Sequence, residues 1–493
     1  MTLENNLHYK QLNKIDDINR KSNMVFLSKF IITFLWLLFF GNLIYLISNF
    51  NSMPNWKLEN LLKINGFTIL IWTTVTFFSA TISTYANKYL TGFKYHTKFI
   101  LLSLGFTFSV MFLVISSHVV LIFISWLLMG LFMSNLIGIN KNWGEAREAS
   151  KFAQKYFFIG SLFLGLGLLI LAITSGEYTI TGISNVVNKL SLCVTIPAAL
   201  CIIIAALIQS AIYPFHRWLL SAMTAPTPAS ALMHAGFVNG SGILLALFAS
   251  LLFASNTLNI LFIVGGLTAL IAQFTKLIQV NVKQKLAAST IAQMGFMIMQ
   301  CGLGFFNAAV VHLILHGFYK SYLFLSSGEE ISKSNPKKKS KLKIQPLHSI
   351  PIVLFSGLGA YLFATWTGKG LNLDSGLFLT IIVAMTVGQA TYNIVKERSL
   401  TLIQKTIFPG LIFLLGIGLY ALMYNGITIL MSDMPMINSP LELSGTQITF
   451  NIIFLIGFFV MKLEVYRKIP WLYVKLMNIS QPYKKTVLMY KSN

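Results

Sequence analysis

Apolar runs of about 17 to 25 residues, the length that crosses a bilayer as a helix, recur about fourteen times along this 493-residue chain. They fall near 27–48, 64–85, 98–115, 117–138, 153–173, 192–213, 229–252, 257–277, 286–304, 308–327, 350–367, 375–395, 406–430 and 446–462. In hydrocarbon, every backbone amide and carbonyl has to be satisfied within the protein. Repeated runs of this length therefore predict an all-α, polytopic membrane bundle. The charge content agrees: 10% of residues are charged, against about 25% in a soluble domain.

A formal net charge of +23 is a topology signal once its placement is examined. With the N-terminus in the cytoplasm, only Lys57, Lys63, Lys189 and Lys369 of 37 lysines and arginines fall on the far side. That is the bias cytoplasmic loops carry, and it argues against a nucleic-acid partner. Both termini are expected in the cytoplasm. The far-side connection "SDMPMINSPLELSG" (432–445) carries acids and no base. Cys193, Cys201 and Cys301 lie in apolar runs without CxxC spacing, so neither a disulfide framework nor a metal site is expected. No GxGxxG follows a strand pattern and no P-loop occurs, so no nucleotide cofactor is expected. No small-residue cleavage site follows the first apolar run, and no cleaved signal peptide is expected.

Ionisable groups inside spans mark function by default. Each of the fourteen acids lies in a loop, a tail or a span end. The embedded titratable set is basic: His234, His312, His316 and Lys320, with Lys276 near a cytoplasmic span end. "HLILHGFYK" sets His312, His316 and Lys320 four residues apart, which stacks them on one helix face over two turns. A single buried histidine often does no more than bond a neighbouring helix. Two imidazoles and an amine in one stripe, with His234 elsewhere, point instead to a hydrated relay or ion path. Imidazole offers one donor and one acceptor nitrogen and titrates near neutrality, and an amine in a low-dielectric site can gain and lose a proton. Zinc is a poor alternative, because the stripe has no carboxylate or thiolate partner.

"TAPTPASALMHAG" (224–236) interrupts the apolar pattern. Pro226 and Pro228 predict a helix break with carbonyls freed at membrane depth, tolerated only beside protein or water. Beyond it, Ser230, His234 and Ser241 are expected on nearly one face, and Gly236 and Gly240 on another, where they would favour close helix approach. "GLG" at 165–167 is read the same way. The tail from Tyr466 mixes aromatic and basic residues, as an interfacial or docking helix does.

The stretches "QSAIYPFHRWLLSAMTAPTPASALMHAG" (209–236), "VKQKLAASTIAQMGFM" (282–297) and "HLILHGFYKSYLFLSSG" (312–328) resemble the antiporter-like subunits of respiratory complex I and of Mrp-type cation/proton antiporters. The likeness covers most of 98–330. It implies five-helix repeats with discontinuous helices, and a chain of lysine and histidine matched here by His234, His312, His316 and Lys320. The sequence departs from the complex I pattern in three places. Leu127 follows Trp126 where the pattern has glutamate, and Gln209 stands at its pumping lysine; a later lysine motif expected after residue 350 is absent. "PFHRWLLSAMTAPTPASALMHAGFVNGSG" looks most like the DabB-type membrane subunits of two-component inorganic-carbon uptake systems in bacterial cell membranes. That resemblance implies H⁺ or Na⁺ conduction and a heterocomplex with DabA, a zinc protein similar to β-carbonic anhydrases. This chain would have no catalytic site of its own, and Gln209 and Ser230 would be hydrogen-bonding neighbours of the path. A complex I or Mrp-type antiporter subunit is the alternative. The implied organisation is a cytoplasmic segment (1–24), an antiporter-like core (25–330), a basic loop (331–349), C-terminal helices (350–462) and a basic tail (463–493).

Overall fold

The computed structural model describes residues 26–328, 349–370, 372–395 and 401–487. The expected segment 1–24, the basic loop up to residue 348, the end of the tail from 488, and Glu329, Glu330 and Glu397 lie outside the described residues.

Helix α1 (Phe26–Ser48) leads to a short antiparallel hairpin, β1 (Trp56–Leu58) and β2 (Leu62–Ile64), with Lys57 opposite Lys63. There follow α2 (Gly66–Tyr89), α3 (His96–Ile115), α4 (Val119–Ile137), α5 (Gly144–Ser175), α6 (Ile180–Val186), α7 (Leu192–Gln209) and α8 (Arg217–Ser221). Next come the pieces of a broken span: α9 (Thr227–Leu232), a π-turn (Met233–Phe237) and α10 (Gly240–Leu247). A short α11 (Ala249–Ala254) precedes α12 (Leu258–Ile278), α13 (Val282–Gly302), α14 (Phe306–Leu325), α15 (Ser349–Thr367), α16 (Gly376–Val395), α17 (Leu402–Leu430) and α18 (Gly445–Lys462). The tail forms α19 (Val465–Lys468) and α20 (Pro470–Ile479).

Among the described residues, 12 helices are long and apolar enough to cross a membrane. The two remaining expected spans are helices as well, α13 and α18. Helix α13 opens on Lys283, Gln284 and Lys285, which dilutes its hydropathy, and the apolar part of α18 is only Gly445–Met461. The protein is a polytopic all-α membrane protein.

The helices run between two ends. At the hairpin end, backbone bonds knit distant loops together: Ser117 N–H donates to Leu61 O (2.8 Å), Val119 N–H to Tyr178 O (2.9 Å) and Phe306 N–H to Ile437 O (3.0 Å). Lys63 Nζ and Asn65 Nδ2 both donate to Asp433 Oδ2, each at 2.8 Å. At the tail end, the stretch after α20 crosses several helices. His216 Nε2 donates to Ile479 O (2.8 Å), Gln279 Nε2 to Ser480 O (3.1 Å), and Tyr483 N–H to Ser221 Oγ (2.9 Å). The Tyr483 ring stacks on Phe152 with centroids 4.2 Å apart. The expected docking tail is therefore present, with Trp471 and Val474 exposed on its outer side.

Glycine sets the closest helix contacts. A Cβ on Gly265 would lie 2.6 Å from Gly295 O, one on Gly295 would lie 2.7 Å from Ala269 N, and one on Gly302 would lie 2.3 Å from Phe262 N. Helices α12 and α13 thus meet backbone to backbone. The "GLG" reading holds in the same sense, since a Cβ on Gly167 would meet Ala198 O of α7 at 3.0 Å.

The broken span sits at the centre: 89% of its apolar window is buried, against 11% for α1. Its break differs from the expectation. Pro226 caps α9 and Pro228 occupies its first turn, where a missing N–H costs nothing. The Pro226 carbonyl is not orphaned, because Ser230 N–H donates to it at 3.0 Å. The prolines begin the helix, and the interior interruption lies further on, at the π-turn 233–237 and the residues after it. That turn also undoes the single face expected of Ser230, His234 and Ser241. Ser230 bonds back to Pro226 O (3.4 Å), while Ser241 bonds Ser210.

Candidate functional site

Helix α14 carries the stripe because residues 312, 316 and 320 repeat at nearly one helical turn. Lys320 and His316 are buried and His312 is half-buried. The Lys320 ammonium donates to Leu286 O of α13 at 3.1 Å. The rings of His312 and His316 stack with centroids 6.2 Å apart, and Phe296 of α13 flanks His312 at 5.5 Å. On the facing element the π-turn carries His234, fully buried, with its ring stacked on Phe324 of α14 at 4.4 Å. Helix α14 and the broken span are thus brought together by that stack. His316 lies within electrostatic reach of Lys320, His312 and His234, and His234 within reach of Lys320 and Lys283. Lys276, half-buried in the last turn of α12, reaches Lys320 in the same way.

Both ring nitrogens of His234 and of His316 lack a protein hydrogen-bond partner. Buried polar groups in folded proteins are nearly always bonded, to protein or to ordered water. These nitrogens therefore keep their hydrogen-bonding capacity open to a partner from outside the protein. Gln293 and Gln300, on the same side of α13 as Phe296, each present a buried unpartnered Oε1, and Asn239 presents its Oδ1. Asn239 Nδ2 clamps the broken span to α14 by donating to Ala235 O (2.7 Å) and Leu313 O (3.1 Å).

Gln209 and Ser230 take supporting places. Gln209 Nε2 donates to Phe237 O (3.2 Å), and Ser210 Oγ to Val238 O (2.6 Å). Both cap carbonyls that the interruption frees. Ser230 Oγ serves its own helix start, through Ala225 O and Pro226 O.

Two lysines escaped the sequence reading. Lys283 Nζ donates to Ala225 O (2.7 Å) and Gln284 Nε2 to Leu220 O (3.0 Å), so the first turn of α13 holds the loop before Pro226. Lys369, in the connection after α15, is buried, and its Nζ has no hydrogen-bond partner. It lies 3.7 Å from the Tyr424 ring centroid and 4.7 Å from that of Phe305, and burial holds its amine well below the ordinary lysine pKa. The signal for Lys283 was its place in "NVKQK" at a helix start. For Lys369 the signal was its breach of the charge bias.

Among the described residues, no group of three or more histidine, cysteine or acidic side chains is placed to hold a metal. The arrangement is a set of amines and imidazoles, buried and mutually coupled. Chemically it can pass protons between nitrogens and intervening waters.

The family model described as "NADH:quinone oxidoreductase/Mrp antiporter, TM" matches residues 116–395, extending past the region where the sequence motifs fade. The probable inorganic carbon transporter subunit DabB of Bacillus anthracis is 40% identical over 250 residues, 50% of this chain and 48% of that protein. The protein of the same name from Bacillus subtilis is 32% identical over 336 residues, 66% of this chain and 64% of that one. The matches thus span about half to two thirds of those relatives. Among solved structures, the Mrp complex from Dietzia sp. superposes with a TM-score of 0.61 at 19% identity, covering 92% of this chain and 55% of that one. The chain belongs to the NADH:quinone oxidoreductase/Mrp antiporter transmembrane family.

Proposed function

We propose that this chain is the membrane subunit of an energy-coupled inorganic-carbon uptake system, passing a cation down its gradient to drive a partner that handles carbon dioxide or bicarbonate. The observation that carries the cation path is the buried pair of His316 and Lys320, both within electrostatic reach of His234. The cargo rests on likeness to relatives named as inorganic carbon transporter subunits. The tail end faces the cytoplasm, as the lysine and arginine bias requires, and the membrane is the bacterial cell membrane. The partner is a zinc-containing, carbonic-anhydrase-like protein of the DabA type, and the chemistry on carbon happens there. The functional core is 25–330, with 350–462 as an added helical unit.

The proton suits this path better than sodium. A dehydrated hard cation needs several oxygen ligands, with carboxylates prominent among them, whereas this path offers nitrogens that exchange protons. Leu127 and Gln209 stand where a complex I-type pump keeps its glutamate and lysine. The path therefore works as a downhill conduit rather than as a charge-driven pump.

The test is growth in ordinary air of cells lacking carbonic anhydrase, with the chain expressed beside its partner. Rescue is expected. Uptake of labelled inorganic carbon should fall when a protonophore collapses the proton gradient and persist when sodium is replaced. Uptake that survives removal of both gradients would sink the reading. Sodium dependence would leave the conduit standing but reverse the choice of ion.

A further inference from the structure

Helix α5 supplies a ruler for depth in the membrane. Phe158, Leu162, Leu166, Leu169 and Ile173 repeat every three or four residues along it and all are exposed, which in a polytopic bundle marks the face turned to lipid. Lys151 and Lys155, also exposed, come before them. From Lys155 to the helix end at Ser175 is about 30 Å at 1.5 Å per residue, the thickness of a bilayer's hydrocarbon core. Lys155 therefore stands at the headgroup boundary of the tail-end leaflet.

Two ring contacts carry that depth mark to neighbouring elements. Tyr483 of the tail stacks on Phe152 with centroids 4.2 Å apart, and Trp218 of α8 meets Phe157 edge-on at 4.8 Å. The tail, and Arg217 just before Trp218, thus lie at headgroup level. Helix α20 starts at Pro470, close behind the end of α18 at Lys462, so it stays near the same boundary.

A groove of about 520 Å³ opens at that level between α8 and α20. Arg217, Lys475 and Asn478 line it together with Pro470, Trp471 and Val474, and none of the described residues lining it is acidic. Trp471, Val474, Lys475 and Asn478 are spaced to share one face of α20. All four are exposed, while Leu476 is buried behind them. Ion pairs at this end join Lys151 to Glu148 and Arg467 to Glu464. Among the described residues, neither Arg217 nor Lys475 has a carboxylate partner. The groove therefore sets two uncompensated cations beside an exposed indole, at the depth where lipid phosphates lie.

We propose that this groove binds the headgroup of an anionic phospholipid from the tail-end leaflet. The guanidinium of Arg217 presents a fork of donors suited to a phosphate, and Lys475 adds a second positive charge. Trp471 takes the headgroup level that indoles favour, and Asn478 offers its amide to the rest of the headgroup. Arg217 belongs to α8 and Lys475 to the tail, so one phosphate bridges the two. Ile479, which also lines the groove, accepts the His216 bond with its carbonyl. The lipid thus staples the tail to the core next to a bond that already joins them. This inference needs only that the chain spans a membrane, and it stands apart from the cation path.

The test places the full chain in nanodiscs, with and without its proposed partner. Bromine on the acyl chains of phosphatidylglycerol or of phosphatidylcholine quenches nearby indoles, and the difference from Trp471→Phe isolates the Trp471 signal. Brominated phosphatidylglycerol should quench that signal at about a tenfold lower mole fraction than brominated phosphatidylcholine, since each of the two basic groups favours an anionic lipid. Arg217→Gln with Lys475→Gln should erase the preference, whereas Lys151→Gln with Lys155→Gln, at the same depth, should leave it. Amide protection across 470–487 should rise in phosphatidylglycerol, and should not rise in the Arg217/Lys475 variant. Equal quenching by the two lipids, or a preference that survives loss of Arg217 and Lys475, overturns the proposal. So does glycerol 3-phosphate raising protection equally in phosphatidylcholine discs, which would make a soluble phosphate the ligand. Quenching that the partner abolishes would assign the groove to the subunit interface and overturns the proposal as well.

Discussion

The proposed path turns on Lys320 and His316. Lys320 donates to a single carbonyl, Leu286 O, and His316 to none, so neither is consumed by structure in the way Asn239 or Gln209 is. Replacing Lys320 with methionine keeps the stem and removes the exchangeable proton. Uptake should fall about a hundredfold, the scale of a positioned proton-transfer group, with the complex still assembled on size exclusion; normal uptake would leave the chain as a scaffold for its partner. A residue outside the spans gives a pH prediction. Burial pushes His216 down to about 4 from an ordinary value of 6.5, offset partly by its bond to Ile479 O and deepened by Arg217. The docked ring is thus neutral. Tail docking is complete above pH 6.5 and weakens as pH falls towards 4, by no more than about 3 kcal/mol. Normalised to the intrinsic exchange rate, which itself slows as pH falls, amide protection across 470–487 should therefore drop between pH 7 and pH 5, and His216→Phe should abolish that drop.

At the scale of elements, the sequence made the spans legible because hydrocarbon admits few alternatives. The His312–His316–Lys320 stripe was legible because a helix face is fixed by spacing alone. The break was legible as a break but mislocated, since proline looks the same at a helix start as in an interior. The π-turn at 233–237, which matters more, has no residue signature in "MHAGF". The hairpin at 56–64 was missed because its three-residue strands carry no readable alternation. Lys283 was missed because α13 begins four residues before the apolar run near 286–304 does. Lys369 was illegible as a buried group because the rings that cover it come from Phe305 and Tyr424, remote in sequence. The contact between α12 and α13 yields a prediction. Gly295→Val drives a side chain into the Ala269 amide and the Gly265 carbonyl. It should destabilise the protein by about 1–3 kcal/mol, read as a lower midpoint of thermal aggregation in detergent. Gly41→Val, where nothing lies within 4 Å, should leave that midpoint unchanged.

For the molecule as a whole, the two ends are closed differently. The tail end is held by a strap that bonds to the α7–α8 connection, α8 and the residue after α12, and stacks on α5. Ending the chain at residue 463 should release those groups together. The expected outcome is a complex that still inserts but in which a lysine-directed protease reaches Lys283 from the tail end. Protection retained in the truncated protein would show that the strap is dispensable. Among the described residues the hairpin end has no strap and closes by loop-to-loop bonds around a cavity.

The Lys63–Asp433 pair joins positions 370 apart in the sequence, and that separation has a consequence for biogenesis. A ribosome adding about 5–20 residues per second needs roughly 20 to 75 seconds to travel from the lysine to its aspartate. On the proposed orientation, Lys63 sits across the membrane throughout that interval without its counter-charge, against the bias of lysine and arginine towards the cytoplasm. The first helices have to hold their orientation by other means until α17 has inserted. A charge-reversed Asp433→Lys chain should therefore orient its early spans normally and fail only at the last step, with the loop carrying residue 433 left open to proteolysis.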